Sequence, residues 1–186
     1  MDITGPAVSQ IFPEFKDGGS HEAKRATRYL IRFACEFNDP TCLAGANDNF
    51  NKVRSGQMTW DDLNVNFRDF SRNYGVRGGG LGEITWLKSL LSTVSSSEER
   101  NYIKALSYMK PEFADEAISL FNSLSKDGIN FKYALMQFSE RQFMRDVVWS
   151  YTKGEVYNYN FYQNENLLHI YYYDSNTKFR KYENCR

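Results

Sequence analysis

The sequence predicts an all-α protein, an irregular α-superhelix of antiparallel helix pairs of the HEAT/armadillo kind. Two observations carry that prediction. Apolar residues recur at three- and four-residue steps from His21 to about Lys153, the period of a helix with one buried face. The periodic stretches, about 12 to 16 residues each, are separated by short turns, and helix pairs of that size stack into a superhelix. No close sequence repeat is visible, so the stack is expected to be irregular.

The first helix is expected from His21 to Phe37, with Ala26, Tyr29, Leu30, Phe33 and Phe37 as its apolar face. Asn38-Asp39-Pro40 stops it. Asp39 is suited to cap the next helix and Pro40 to open it, because proline lacks only a donor that the first turn leaves unpaired anyway. The second helix runs to about Val53, with Leu43, Ala46, Phe50 and Val53 inward. After a loop from Arg54 to Thr59, Asp61 or Asp62 starts a third helix carrying Leu63, Phe67, Phe70 and Tyr74. Gly78-Gly79-Gly80 ends it, as glycine commonly does at a helix C-terminus. A fourth helix begins near Leu81 with Ile84, Leu87, Leu90 and Leu91.

Ser96 and Glu99 have the spacing of a capping box ahead of Tyr102, Ile103, Leu106 and Met109. Pro111 opens a sixth helix with Phe113, Ala117, Ile118, Phe121 and Leu124, ended by Asp127-Gly128. Phe131 to about Lys153 supplies one or two more, including Phe138, Phe143, Val147 and Trp149. Trp60, Trp86 and Trp149 read as core. Beyond Gly154 the composition turns Tyr- and Asn-rich, and Leu167–Tyr173 with Lys178–Tyr182 is expected to form a hairpin. The chain divides into an N-terminal segment (1–20), a helical domain (21–153) and a divergent tail (154–186).

Lys plus Arg and Asp plus Glu number 23 each in 186 residues, so the formal net charge is zero. That balance argues against a nucleic-acid binder, which carries a basic excess or stripe. Lys24, Arg25, Arg28 and Arg32 fall at helical spacing and read as a solvated face. No apolar run reaches the roughly 18 residues of a transmembrane helix. Met1 to Gln10 lacks the basic and apolar regions of a secretory signal.

Candidate sites are few. His21-Glu22-Ala23-Lys24-Arg25 begins like H-E-x-x-H, but arginine stands where the second imidazole must point at the metal. The other histidine, His169, is far off in the tail. Gly78-Gly79-Gly80-Leu81-Gly82 lacks the preceding strand and following Lys-Ser/Thr of a phosphate loop. Cys35 has no histidine nearby in sequence to make it a nucleophile. Cys35 and Cys42 would lie about 10 Å apart on one continuous helix, too far to bridge. A turn at Asn38-Asp39-Pro40 makes a disulfide across an elbow and two free buried thiols equally compatible with the spacing. No catalytic, cofactor-binding or metal-binding residue is assigned.

Three segments, in order, resemble the C-terminal helical domain of zinc aminopeptidases of the aminopeptidase N and endoplasmic-reticulum type. Ala34-Cys35-Glu36-Phe37-Asn38-Asp39-Pro40-Thr41-Cys42-Leu43, followed by Ala46 and Phe50, is similar to the family's element A-C-x-x-x-x-x-x-C-L. Tyr74-Gly75-Val76-Arg77-Gly78-Gly79, with Trp86 after it, resembles a segment that precedes a tryptophan-bearing helix. Ser97-Glu98-Glu99-Arg100 through Ala105-Leu106 resembles S-E-K leading into A-L-G-C. Phe131 to Trp149 fits more loosely.

The resemblance implies a disulfide between Cys35 and Cys42 and an extracellular or membrane-associated ectodomain. It implies a peptide substrate held through the parent catalytic domain, and zinc in the parent enzyme but none in this chain. The function it implies is a substrate-enclosing cap for an enzyme acting on peptide N-termini, inactive alone. The alternative is a stand-alone peptide- or protein-binding helical module. A second disulfide common in the family is absent, its positions falling at Asn73 and Tyr108. The H-E-x-x-H and G-A-M-E-N elements do not occur in the chain.

Overall fold

The computed structural model describes residues 21–125 and 128–157. The expected hairpin and most of the tail lie outside them. Among the described residues the protein is all-helical, with eight α-helices and three short 3-10 turns. These are α1 (His21–Glu36), α2 (Pro40–Arg54), α3 (Val65–Gly78), α4 (Leu81–Leu90), α5 (Ser96–Leu106), α6 (Ala114–Leu124), α7 (Gly128–Ser139) and α8 (Arg145–Tyr157). The 3-10 turns, Trp60–Asp62, Pro111–Phe113 and Gln142–Met144, precede α3, α6 and α8. Most helices contact a chain neighbour and several contact their next-but-one neighbours, so that α1, α3, α5 and α7 form one row.

The elbow between α1 and α2 is built by three consecutive residues. Asn38 adopts φ +60°, a left-handed conformation that asparagine tolerates better than most residues. Its N–H donates to the Cys35 carbonyl and the Asp39 N–H to the Ala34 carbonyl, which closes α1 in a Schellman motif. Asp39 then caps α2, its carboxylate accepting from the Cys42 N–H at 2.9 Å, and Pro40 occupies the first turn.

The face of α1 that is buried is not the one its periodicity selects. Ile31, Ala34 and Cys35 are buried, whereas Tyr29, Leu30, Phe33 and Phe37 are 55%, 58%, 65% and 72% exposed. Helix α1 has apolar residues on both sides, and the smaller set faces inward. Ile31, Ala34 and Cys35 pack with Cys42, Ala46, Phe67, Phe70, Tyr74 and Tyr108 in a small core at one end of the protein. The larger core, under α4 to α8, gathers Phe50, Ile84, Leu87, Ile103, Leu106, Leu120, Phe121, Phe138 and Met144. Trp60 and Trp86 both pack edge-on to Phe50. Trp149, expected in the core, is half exposed with Lys153 Nζ over its ring.

Helices α2 and α3 form the closest pair. Asn49 Nδ2 donates to Ser71 Oγ at 3.3 Å and Asn47 Nδ2 to the Gly75 carbonyl at 3.0 Å, with the order of an antiparallel pair. Glycine makes the approach possible. A Cβ on Gly75 would lie 2.6 Å from Phe50 Cβ, and one on Gly78 2.6 Å from the Leu43 carbonyl oxygen. Helix α3 ends at Gly78, within the glycine run expected to stop it, though not by a left-handed cap, since Gly56 is the only described glycine with positive φ. Gly78 gives clearance to the α2 backbone. Gly80 leads into α4, its N–H donating to Glu83 Oε2 at 2.8 Å.

Two other expected helix starts shift. Asp62 caps a 3-10 turn rather than α3, accepting from the Thr59 N–H at 2.6 Å. Ser95, not Ser96, precedes α5, which moves Glu99 out of capping register. Its carboxylate instead accepts from Asn130 Nδ2 on α7 at 2.8 Å. Gly128, expected to end a helix, opens α7. Helix α8 runs through Gly154, where the composition changes, to Tyr157.

Alanine at a helical glycine normally stabilises by about 1 kcal/mol. Gly75→Ala and Gly78→Ala are expected to reverse that sign and lower stability by about 1–3 kcal/mol each, because the added methyl overpacks a rigid contact. Gly154→Ala, with no atom within 4 Å of the new Cβ, should be neutral or stabilising. Urea unfolding of the three variants checks this, and stabilisation at Gly75 would contradict the close approach.

Candidate functional site

Cys35 and Cys42 face each other across the elbow, with Cα atoms 5.3 Å apart and both side chains fully buried. The local reason is the sequence between them: the left-handed Asn38 and the Asp39–Pro40 start reverse the chain within a few residues. The only other cysteine, Cys185, lies outside the described residues.

Beside the elbow, Glu36 ends α1. An acid is disfavoured there, because the helix C-terminus carries partial negative charge. Three donors from distant parts of the chain offset this. Tyr74 on α3 donates its hydroxyl to Glu36 Oε1 at 2.7 Å. Arg77 donates from Nη1 to Oε2 at 3.2 Å and from Nη2 to the Glu36 main-chain carbonyl at 3.3 Å. Arg141, after α7, reaches Oε1 from Nη1 at 3.5 Å. Its guanidinium carbon also lies over the Tyr108 ring, 3.8 Å from the centroid, and Tyr108 meets the Tyr74 ring edge-on at 5.1 Å. One carboxylate thus ties α1 to α3 and to the turn beyond α7.

This knot is one wall of a cleft of about 200 Å³. Helix α1 contributes Ile31, Arg28 and Arg32, and α3 contributes Phe67, Phe70, Asn73 and Tyr74. Lys104 on α5 and Tyr108 just beyond it complete the opposite side, with Arg141 at the end. Asp69 and Glu140 are the acidic members. Four cations against two carboxylates leave the cleft net positive, and its apolar surface is largely aromatic. Such a surface suits a flexible chain bearing carboxylate or main-chain carbonyl groups, since guanidinium groups donate to both and rings accept side chains with little loss of entropy. No nucleophile–base pair lines it.

The three segments singled out in the sequence lie at or beside the cleft. Tyr74 of the second and Lys104 of the third line it, and Glu36 of the first, outside its lining, bonds Tyr74 and Arg77. Asn73 and Tyr108, the positions of the missing second disulfide, border the same cleft. Sequence reasoning did not find Glu36, Arg77 or Arg141 as partners, because a pair 105 residues apart leaves no local signal. Arg28 and Arg32, read as a solvated face, do lie on the surface but also edge the cleft.

In the zinc-like start at His21, α1 places Arg25 one turn after His21, and guanidinium is not a zinc ligand. Among the described residues no group of three or more His, Cys, Asp or Glu side chains converges to hold a metal. His169 is outside those residues. No described helix is long and apolar enough to cross a membrane. Searches of protein-family models, curated proteins and solved structures found no match to this chain.

Burial holds several phenols in the neutral form. It raises Tyr74 far above its ordinary value, helped by the hydrogen bond to Glu36, and raises Tyr108 despite the opposing Arg141 charge. Burial and the Glu98 carboxylate push Tyr102 up to about 12. A group whose folded pKa is raised contributes stability below its unfolded pKa and loses it as pH climbs toward the folded one. Stability is therefore expected to hold below the ordinary phenol value of 10.0 and to fall between there and about 12. In an alkaline spectrophotometric titration these three tyrosines should ionise after the exposed ones. A single wave near 10 with the fold intact would contradict this burial.

Proposed function

We propose that this helical domain is a non-catalytic, peptide-enclosing cap of the kind found in zinc aminopeptidases acting on peptide N-termini. The observation that carries the reading is that two of the three segments resembling that domain's elements, at Tyr74 and at Lys104, line one cationic, aromatic cleft, while the first adjoins it through Glu36, which Tyr74 and Arg141 bond. The contact pattern of neighbours and next-but-one neighbours supports an α-superhelical arrangement, and the Cys35–Cys42 elbow supports a disulfide in an oxidising, extracellular or lumenal compartment. On this reading the zinc and its chemistry belong to the parent catalytic domain. The cap's part is physical: a peptide held in the cleft is oriented and shielded from water.

A stand-alone peptide-binding module is the second reading. It is favoured by the cationic, aromatic lining of the cleft, which suits a flexible acidic chain.

The two readings separate at the transcript. A cap requires an upstream reading frame encoding H-E-x-x-H and G-A-M-E-N, and an open reading frame confined to this chain would leave the module reading alone. Both require binding without cleavage. A fluorescein-labelled acidic nonapeptide is expected to bind the purified chain, with Arg32→Ala and Lys104→Ala each weakening it about tenfold, the loss of one charge-assisted contact. Zinc-dependent release of an amino acid by the chain alone, or binding indifferent to both substitutions, would overturn the cleft assignment.

A further inference from the structure

The outward face of α1 groups four of the nine exposed large hydrophobic residues among the described ones, and the cleft leaves it unused. Tyr29, Leu30, Phe33 and Phe37 lie together on the side opposite the buried Ile31, Ala34 and Cys35. The Phe33 and Phe37 rings pack on each other with centroids 5.0 Å apart, so the patch is continuous. Single exposed apolar residues are ordinary, but a contiguous aromatic and aliphatic face on one helix marks a contact surface.

The charges beside it state what kind of partner fits. Arg25, Arg28 and Arg32 run along one edge of that face at helical spacing, and all are exposed. None of the ion pairs among the described residues includes them. Glu36, the nearest acid at the C-terminal end, is already occupied by Arg77 and Arg141. The other edge, at Leu30 and Phe37, carries no charge. A second copy packed antiparallel on this face would set arginine edge against arginine edge, which is repulsive. An interfacial membrane helix carries cations broadly over its polar face, with the apolar sector between them. A one-sided cationic edge beside an apolar stripe instead matches a helix with an apolar stripe and one acidic edge.

We propose that the outer face of α1 docks an amphipathic helix of a protein partner through Tyr29, Leu30, Phe33 and Phe37, with carboxylates of that helix pairing Arg25, Arg28 and Arg32. This surface shares Arg28 and Arg32 with the edge of the cleft, so its test uses Arg25, Leu30 and Phe33, which do not line the cleft.

The probe is a fluorescein-labelled synthetic helical peptide with leucines at alternating three- and four-residue steps and glutamates along one flank. Its twin carries lysine in place of each glutamate. The full chain is expected to bind the glutamate peptide at least tenfold more tightly than the lysine twin, and less tightly as salt is raised. The double variant Leu30→Ser with Phe33→Ser should lose that binding at least tenfold. Its melting curve and its binding of the acidic nonapeptide should not change, because both residues are exposed. Arg25→Glu should narrow or reverse the preference between the twins. Equal binding of the twins, or binding of neither, overturns the proposal. So does co-sedimentation with phosphatidylserine–phosphatidylcholine vesicles that the double variant abolishes while neither peptide binds, which would make the face a membrane contact.

Discussion

The carboxylate of Glu36 is the constraint on which the cleft depends. It sits at the C-terminal end of α1, where the helix itself repels it, and is held by Tyr74, Arg77 and Arg141 from two other parts of the chain. Each donor brings its own element with it. Tyr74 and Arg77 fix α1 against α3, and Arg141 brings the turn after α7 onto Tyr108. Without that shared acceptor, two largely buried guanidinium groups would face each other across the end of the small core. Leaving a buried charge uncompensated is among the more costly things a fold can do.

The neighbouring pair α2–α3 is held differently, by close approach rather than by charge. Gly75 and Gly78 let the two backbones come together, and Phe50 fills the space against Gly75. The disposition of α2 then follows from both constraints. Its start is set by the elbow, with Cys42 opposite Cys35, and its middle by the glycines of α3. The cleft is the gap left between α1 and the row of α3 and α5 once these contacts are made. Its positive character is a by-product of the same residues, since Arg141 serves the knot and also ends the cleft.

What was legible in the sequence was what is local. Asn38-Asp39-Pro40 encodes the elbow within three residues, and Asp39 and Pro40 act as their types suggest. The helical class was legible because the period is repeated along the chain. The buried face of α1 was not: periodicity finds an apolar face but cannot choose between two, and Ile31, Ala34 and Cys35 are the less conspicuous set. The capping pair Ser96–Glu99 failed by one residue of register, which sends Glu99 across to Asn130 on another helix. Gly75, inside an otherwise regular helix, did carry a signal, since a glycine there is costly unless something approaches closely. Glu36 with Arg141 carried none. Of the candidate site, Tyr74 and Lys104 lie in segments that the sequence singles out, but their convergence with Ile31, Arg32 and Arg141 is visible only in three dimensions.

The most direct measurement of the account is a double-mutant cycle between Glu36 and Arg77. Stability by urea unfolding would be compared for the native chain, Glu36→Ala, Arg77→Ala and the double variant. The shared hydrogen bonds predict a coupling energy of about 1 kcal/mol or more, with the double variant losing less than the sum of the single ones. Losses that add to within about 0.3–0.5 kcal/mol would mean that the two residues act independently. The knot would then not be what holds α1 to the rest of the protein.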